Sequence, residues 1–257
     1  MLASTISTLL DRLLTAIIIN TGMLKDRQKL ILNALIAEYI SSAEPVASRQ
    51  IVDKFRFPFS SATVRSELLA LDEEGYLEQP HTSAGRVPTD KGYRFFISEV
   101  FDSRDPLSER HRALLSELFK IDRDEEFLRQ IARTVSELSE SFTIAGLYGD
   151  ELFYKAGIAE AFREPEFDDR SALKEFSELA DFIDEEIRSI FEPGDFKKPK
   201  AFIGHENPIK EARNYGMIVS SVETPHKKET LVAILGPKRM DYRKNISLLE
   251  YLDECCF

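Results

Sequence analysis

Apolar residues near the start of the chain recur at helical spacing. From Lys25 onwards they fall at Leu30, Ile31, Ala34, Leu35, Ala37 and Ile40. This period of about 3.6 residues predicts an amphipathic helix, which the polar segment 41–45 and its Pro45 bring to an end. A second, short helix is predicted over Ser48–Phe55, with Ser48 as its N-cap. Its inward residues are Ile51, Val52 and Phe55.

A third helix is predicted after Ser60 or Ser61, either of which is a suitable N-cap. Its inward residues are Val64, Leu68 and Leu71, and Gly75 is placed to end it. The next predicted elements are a short strand at Tyr76–Gln79, a turn-rich loop at His81–Pro88 and a helix opened by Thr89–Asp90. Three short helices followed by a strand–loop–strand are the element order of a winged helix-turn-helix, which we therefore predict over residues 23–103.

The rest of the chain, residues 104–257, is predicted to mix helices and strands after a polar boundary at 102–106. Its predicted helices are 108–141 in two pieces, 171–191 and 241–254; its predicted strands are Thr143–Phe153, Lys200–Gly204, Tyr215–Ser221 and Glu229–Leu235, the last broken by Gly236–Pro237. The inward residues of helix 171–191 are Leu173, Phe176, Leu179, Phe182, Ile183, Ile187 and Ile190. The fold class is thus α+β.

Composition and charge refine this picture without overturning it. The chain has 257 residues, of which 43% are hydrophobic and 31% charged, as in a globular protein. Nearly all of the net charge of −11 lies beyond residue 100, so it does not exclude a basic DNA-binding face in the first part. Two adjacent cysteines and no long apolar run indicate a reducing cytoplasm and no membrane span.

The first 22 residues are apolar and have no basic start, which makes a signal peptide the less favoured interpretation. We expect residues 1–22 to be an extension outside the first domain, with Met23 as the better start of that domain.

The third helix carries the residue types that read DNA. In a helix-turn-helix the first turns of this helix face base edges, where arginine binds guanine and serine or threonine binds bases or phosphates. The candidates there are Ser60, Ser61, Thr63, Arg65 and Ser66. Arg49, Lys54 and Arg56 lie just upstream and suit phosphate contacts. A solvated helix face with a serine cap is the alternative.

The loop His81–Pro88 is the candidate wing. Gly85 would permit its tight turn, and Arg86 would enter the minor groove or reach the backbone. An ordinary hairpin loop explains the same residues equally well.

Other chemistry finds little support. The four histidines, His81, His111, His205 and His226, have no partners at metal-ligand spacing, and no nucleotide or nucleophile motif is present. We predict no catalytic residue, no metal and no cofactor. The charged segment Gly236–Asp241 is either an anion site or, more simply, a capped turn before the last helix.

The stretch GYLEQPHTSAGRVPTDKGYRF, the most specific of several such segments, resembles the heat-inducible transcription repressor family, HrcA. The stretch EYISSAEPVASRQI is similar to the family's upstream helices. In the second half PEFDD, FIGHEN, YGMIVSSV and ILGPKRMDYRKNI are similar in the same order, so the resemblance extends over most of residues 23–250.

The resemblance implies a dimeric repressor that binds an inverted-repeat operator before chaperone operons, with a GroEL-type chaperonin keeping it active. It implies a GAF-like second domain with an inserted dimerisation segment. It also assigns Ser61, Thr63 and Arg65 to the recognition helix, and Gly85–Arg86 to the wing.

The chain departs from the family in its middle. Between Ser141 and Leu152 it has only about ten residues where a longer member has its first strands and most of the insertion. We therefore expect a reduced GAF-like domain that dimerises through the helices 108–140 and 171–191. The alternative is a winged-helix regulator controlled by a small molecule in that domain.

Overall fold

A computed structural model describes residues 24–82, 84–101, 107–149 and 152–255 of the protein. The predicted extension 1–22 and the boundary segment 102–106 lie outside these described residues. The division of the chain into domains at residue 103 therefore stays a prediction.

The N-terminal elements follow the predicted order. They are α1 (Asp26–Ser42), α2 (Ser48–Phe55), α3 (Ser61–Glu73), β1 (Leu77–Glu78), β2 (Val87–Pro88) and α4 (Asp90–Phe101). The two strands pair antiparallel, with Leu77 opposite Pro88 and Glu78 opposite Val87. Helix α2 begins at Ser48, so the prediction of Ser48 as its N-cap is wrong; the cap position is Ala47, whose backbone N–H donates to Gln50 Oε1 at 2.6 Å.

The buried face of α1 differs from the predicted one at its edge. Ile31, Ala34 and Leu35 are buried as predicted, but Leu30 is 48% exposed and Ala37 is exposed. Leu32 and Ile36 are fully buried instead. The apolar stripe is wider than the face that α1 can bury. Helical spacing alone therefore predicts a buried face whose centre is displaced by about one residue from the observed one.

The second half consists of helices around one antiparallel sheet. The elements are α5 (Glu109–Leu118), α6 (Asp124–Ser139), β3 (Phe142–Leu147), β4 (Phe153–Ala156), α7 (Ile158–Ala161), α8 (Arg170–Ile190), β5 (Lys200–Ile203), β6 (Tyr215–Glu223), β7 (Glu229–Pro237) and α9 (Tyr242–Glu254). The sheet order is β4–β3–β7–β6–β5, and every neighbouring pair is antiparallel. The fold is α+β, as the sequence predicts.

Two strand predictions need correction. The single strand predicted over Thr143–Phe153 is a hairpin, in which β3 turns back and Thr143 lies opposite Ala156 on β4. Gly149 at φ +76° provides backbone for this reversal. Strand β7 also continues through Gly236–Pro237 before it ends, because a proline is tolerated at the last position of a strand.

The two faces of the sheet carry different cores. One face packs against α6, α9 and the N-terminal helices, and the buried residues of all these elements form a single apolar cluster. The other face is covered by α8 and by the short 3-10 helix Pro165–Asp168. The N-terminal helices are thus fixed to the sheet by a shared core.

Most of the apolar stripe on α8 is buried in this second core. Phe176, Leu179, Ile183 and Ile187 are buried, while Leu173 and Ile190 are each 36% exposed. The expectation that this stripe pairs two copies of the chain is wrong for the four buried residues, because they already pack on their own sheet.

Hydrogen bonds join the start of α4 to residues next to the sheet. Asp90 accepts hydrogen bonds from Lys238 Nζ at 2.6 Å and from the His205 backbone N–H at 3.2 Å. Burial alone would raise the pKa of Asp90, but these hydrogen bonds lower it below its ordinary value of 3.8. The carboxylate therefore favours the folded state.

We expect Asp90→Asn to lower the free energy of unfolding at pH 7. The difference in this free energy between the unchanged protein and the variant should depend on pH. A carboxyl whose pKa is lowered by folding stabilises fully above its unfolded pKa and loses that effect as the pH falls through its folded pKa. The difference between the unchanged protein and the variant should therefore shrink below about pH 4. Urea unfolding from pH 7 to pH 3 measures it, with the exposed Asp53→Asn as control; a gap that stays constant or widens in acid contradicts the prediction.

Candidate nucleic-acid interface

The N-terminus of α3 is built as a serine cap. Ser60 Oγ accepts a hydrogen bond from the Thr63 backbone N–H at 3.1 Å and lies 2.9 Å from Thr63 Oγ1. Ser61 Oγ lies 3.3 Å from Ser48 Oγ, which joins the first turns of α2 and α3. Ser60 and Thr63 are thereby occupied in positioning the helix, and both hydroxyls remain at the surface end of α3.

Ser60→Ala should destabilise the fold by about 1 kcal/mol, because it removes the acceptor for an otherwise unpaired helix N–H. Chemical denaturation measures the loss. Ser66→Ala on the same helix is the matched control, since Ser66 is exposed and caps nothing, and it should change stability by less than about 0.5 kcal/mol. Equal effects from the two substitutions would contradict the assigned cap.

Helix α3 presents one face to the core and the other outwards. Val64, Leu68 and Leu71 are buried, as predicted. Arg65 and Ser66 are exposed on the opposite side. Leu69, which the sequence did not single out, is 51% exposed and continues this outward face one turn further. An exposed leucine beside an arginine is suited to contact a thymine methyl group.

The basic residues of α2 differ in their availability. The Arg49 side chain is 87% exposed and lies 3.6 Å from Asp53. Lys54 forms an ion pair with Glu38 of α1, and this carboxylate partly neutralises the Lys54 charge that a ligand would meet. Arg56 is exposed and ends α2 in the left-handed region at φ 50°.

Gly85 and Arg86 hold the hairpin against the rest of the domain. A Cβ on Gly85 would lie 2.4 Å from the Val46 carbonyl carbon, so a close backbone approach, and not a positive φ, requires glycine here. Arg86 and Val46 exchange two backbone hydrogen bonds of 2.9 Å. The Arg86 guanidinium Nε lies 2.7 Å from Asp72 of α3, and its side chain is only 16% exposed. In this conformation Arg86 anchors the candidate wing to α3 and does not project outwards.

A groove of about 440 Å³ lies between α3 and the hairpin, and Arg65 and Gly85 both line it. Ser48, Gln79 and Thr82 also line this groove, although the sequence did not single them out as site residues. Gln79 Nε2 donates to the backbone oxygens of Thr82 at 3.1 Å and Ala84 at 2.9 Å, which stiffens the wing. Only Thr82 lies in the predicted wing loop, so the sequence offers a signal for that residue alone.

The charged segment Gly236–Asp241 ends β7 at Pro237 and then forms a capped turn. Asp241 Oδ1 accepts from the Lys244 backbone N–H at 3.0 Å at the start of α9. Lys238 pairs with Asp90, and Arg239 pairs with Glu164 and Glu166. Both cations are therefore neutralised by carboxylates.

The described residues also bear on the other classes of site. Within these ranges, no group of three potential ligands is placed to hold a metal ion, and no helix is long and apolar enough to cross a membrane. The space between α8 and the sheet is filled by packed rings, with the Phe176 ring 4.8 Å from that of Phe167 and 5.0 Å from that of Tyr215. A cleft of about 770 Å³ lies instead between the N-terminal helices and the sheet.

Known proteins match this chain over most of its length. Residues 93–246 match the family model described as HrcA protein C terminal domain. The heat-inducible transcription repressor HrcA of Brevibacillus brevis is 28% identical over 334 aligned residues, which cover 90% of this chain and 96% of that protein. The alignment is longer than the chain, so the relative carries segments that are absent here.

One further relative and one solved structure also match this chain. The repressor HrcA of Thermosynechococcus vestitus is 46% identical over 126 residues, which cover 48% of this chain and 36% of that protein. A crystal structure described only as a hypothetical protein superposes with a TM-score of 0.72 at 20% identity, covers 91% of this chain and 99% of its own, and supports the fold. Since the matched family model spans more than half of the chain, the protein belongs to the HrcA family, whose curated relatives are heat-inducible transcription repressors.

Proposed function

We propose that the protein represses heat-shock (chaperone) operons by binding operator DNA through α3 and the adjoining hairpin. The observation that carries this proposal is the outward face of α3, where Arg65 and Ser66 are exposed beside the groove that ends at the wing. Arg65 would read a base edge, and Arg49 and Arg56 would contact phosphates on either side. No step of this activity is a chemical reaction.

The operator is proposed to be an inverted repeat bound by a dimer. One unit of this size offers few phosphate contacts, and tight binding at physiological salt requires more of them. A two-fold dimer doubles the contacts and places two recognition helices on successive turns of the major groove. Because the α8 stripe is buried, the pairing surface is proposed to lie on the exposed parts of α5 and α6.

Fluorescence anisotropy on the promoter of a chaperone operon from the same genome tests the proposal. The full chain should bind that duplex at least 1,000-fold more tightly than random DNA of equal length, within the usual range of about 10³–10⁷. Equal affinity for both duplexes would contradict operator recognition. Sedimentation of the complex should give two chains per duplex, and one chain per saturated duplex would contradict the dimer.

The chaperonin partner is proposed on family resemblance and is tested in the same assay. Adding a GroEL-type chaperonin to the protein should raise the active fraction that binds the operator. Adding an unfolded substrate of the chaperonin should reverse that gain. An active fraction that neither addition changes would contradict the partnership.

A further inference from the structure

Three polar contacts join the N-terminal helices to the sheet, and the proposed DNA contacts use none of them. The first is Asp90 at the start of α4, which binds Lys238 and the His205 backbone N–H. Gly204 makes this contact possible, because a Cβ there would lie 1.9 Å from the Asp90 carboxylate and its φ is +54°. No other amino acid fits at Gly204 without displacing the carboxylate.

The second contact is Arg94, one turn further along α4. Its Nε donates to Glu206 at 2.9 Å, and its Nη2 donates to the Ala201 carbonyl oxygen at 2.7 Å. Ala201 lies on β5, which is one of the two edge strands of the sheet. Arg94 therefore binds an edge strand and, at the same time, a carboxylate of the 3-10 helix Gly204–Glu206 that follows it.

The third contact is Arg239, which is only 8% exposed. It binds the Glu164 and Glu166 carboxylates, and its Nη1 donates to the Ile40 carbonyl oxygen in the last turn of α1 at 3.1 Å. One guanidinium thus links α1 to two segments of the second half. Beneath these contacts the rings of Tyr93 and Tyr242 pack with centroids 6.2 Å apart.

The three contacts hold α1 and α4 at separate points, which resists rotation better than a single contact would. Helix α3 is fixed to α1 through Glu67, which accepts from Arg27 Nε at 2.7 Å. A rotation of the N-terminal helices on the sheet would therefore carry the outward face of α3 with it. In a dimer, that rotation changes the spacing and angle between the two recognition helices.

We propose that the Asp90, Arg94 and Arg239 contacts form a latch that fixes the orientation of α3 relative to the sheet and so sets operator affinity. These three are positioning residues and do not touch DNA. The proposal rests on the proposed operator binding. It predicts that a chain with an open latch keeps its affinity for random DNA, because its phosphate-binding residues are unchanged, and loses affinity for a repeat that demands fixed spacing.

Charge reversal of one contact tests the latch. Arg94→Glu and Glu206→Arg should each weaken operator binding by at least about fivefold, the lower end of typical coupling between sites, and change random-DNA binding by less than about twofold. The double variant R94E/E206R restores the ion pair but not the hydrogen bond to the Ala201 carbonyl oxygen, and should recover part of the affinity. Reversal of the exposed pair Lys174–Glu178 on α8 is the matched control and should leave both affinities unchanged. Equal losses on the two DNAs, or a double variant no better than the singles, overturn the proposal.

Amide hydrogen exchange supplies a readout that does not depend on DNA. Exchange in α4 and in residues 200–207 should be faster in each single variant and slow again in the double variant. Unchanged exchange in the single variants overturns the latch, whether or not the protein binds an operator. Faster exchange with unchanged operator affinity overturns the link to DNA binding. Failure of the unchanged protein to prefer the operator counts against the proposed function and leaves the exchange result to decide the latch.

Discussion

Phe176→Ala is expected to lower the free energy of unfolding by about 3–5 kcal/mol, because it removes a fully buried ring and leaves a cavity. Phe176 lies on α8 at the centre of the second core. Its ring centroid is within 6.0 Å of four others, those of Phe142, Phe162, Phe167 and Tyr215. These rings come from four separate segments of the chain and cannot all close on the space of one missing side chain.

Equilibrium unfolding in urea measures this loss, with Leu173→Ala as the matched control. Leu173 lies one turn earlier on the same helix and is 36% exposed, so its truncation should change stability by less than about 1 kcal/mol. A loss below about 1 kcal/mol for Phe176→Ala would show that the second core is loosely packed and collapses around the gap. That result would also reopen α8 as a pairing surface.

The elements around the proposed DNA site could be predicted well because local chemistry determines them. Ser60 is the N-cap of α3, and Gly75 follows its last turn with φ +76°. Both features act within a few residues of the chain, so they are visible in sequence. The regular spacing of Val64, Leu68 and Leu71 then gave the buried face of α3 correctly.

The errors arise where distant residues decide the outcome. Leu30 belongs to an apolar stripe, but the side of α1 that is covered depends on helices far along the chain. The α8 stripe reads the same whether its partner is its own sheet or another copy. Arg86 has the residue type of a minor-groove probe, and only its approach to Asp72 reveals an anchoring contact.

The latch was equally invisible from sequence. Asp90 and His205 are separated by 115 positions, and Arg239 and Ile40 by 199. The segments FIGHEN and GPKRMD were noted only for their resemblance to the family and for their charge. The fold brings them to α4 and α1, where each basic side chain finds a carboxylate or a backbone oxygen.

Arg65→Ala should weaken operator binding by about 1–3 kcal/mol, roughly 5- to 150-fold, if its guanidinium reads a guanine edge. The same substitution should weaken binding to random DNA much less, because a contact to a base edge contributes little affinity where that base is not the one in the operator. Arg49→Ala is the matched comparison, since Arg49 is an exposed arginine on the neighbouring helix α2. As a phosphate contact, it should weaken binding to both DNAs alike and reduce the slope of log affinity against log salt by about 1.

Titrations of the two variants on operator and random duplexes at several salt concentrations separate the two roles. Replacing the guanine opposite Arg65 should weaken the unchanged protein and leave Arg65→Ala unaffected, which identifies the base pair that is read. If Arg65→Ala lowers both affinities equally and changes the salt slope, Arg65 is a phosphate contact. If it changes neither affinity, Arg65 does not read the operator, and recognition must come from Ser48, Gln79 and Thr82, which line the same groove.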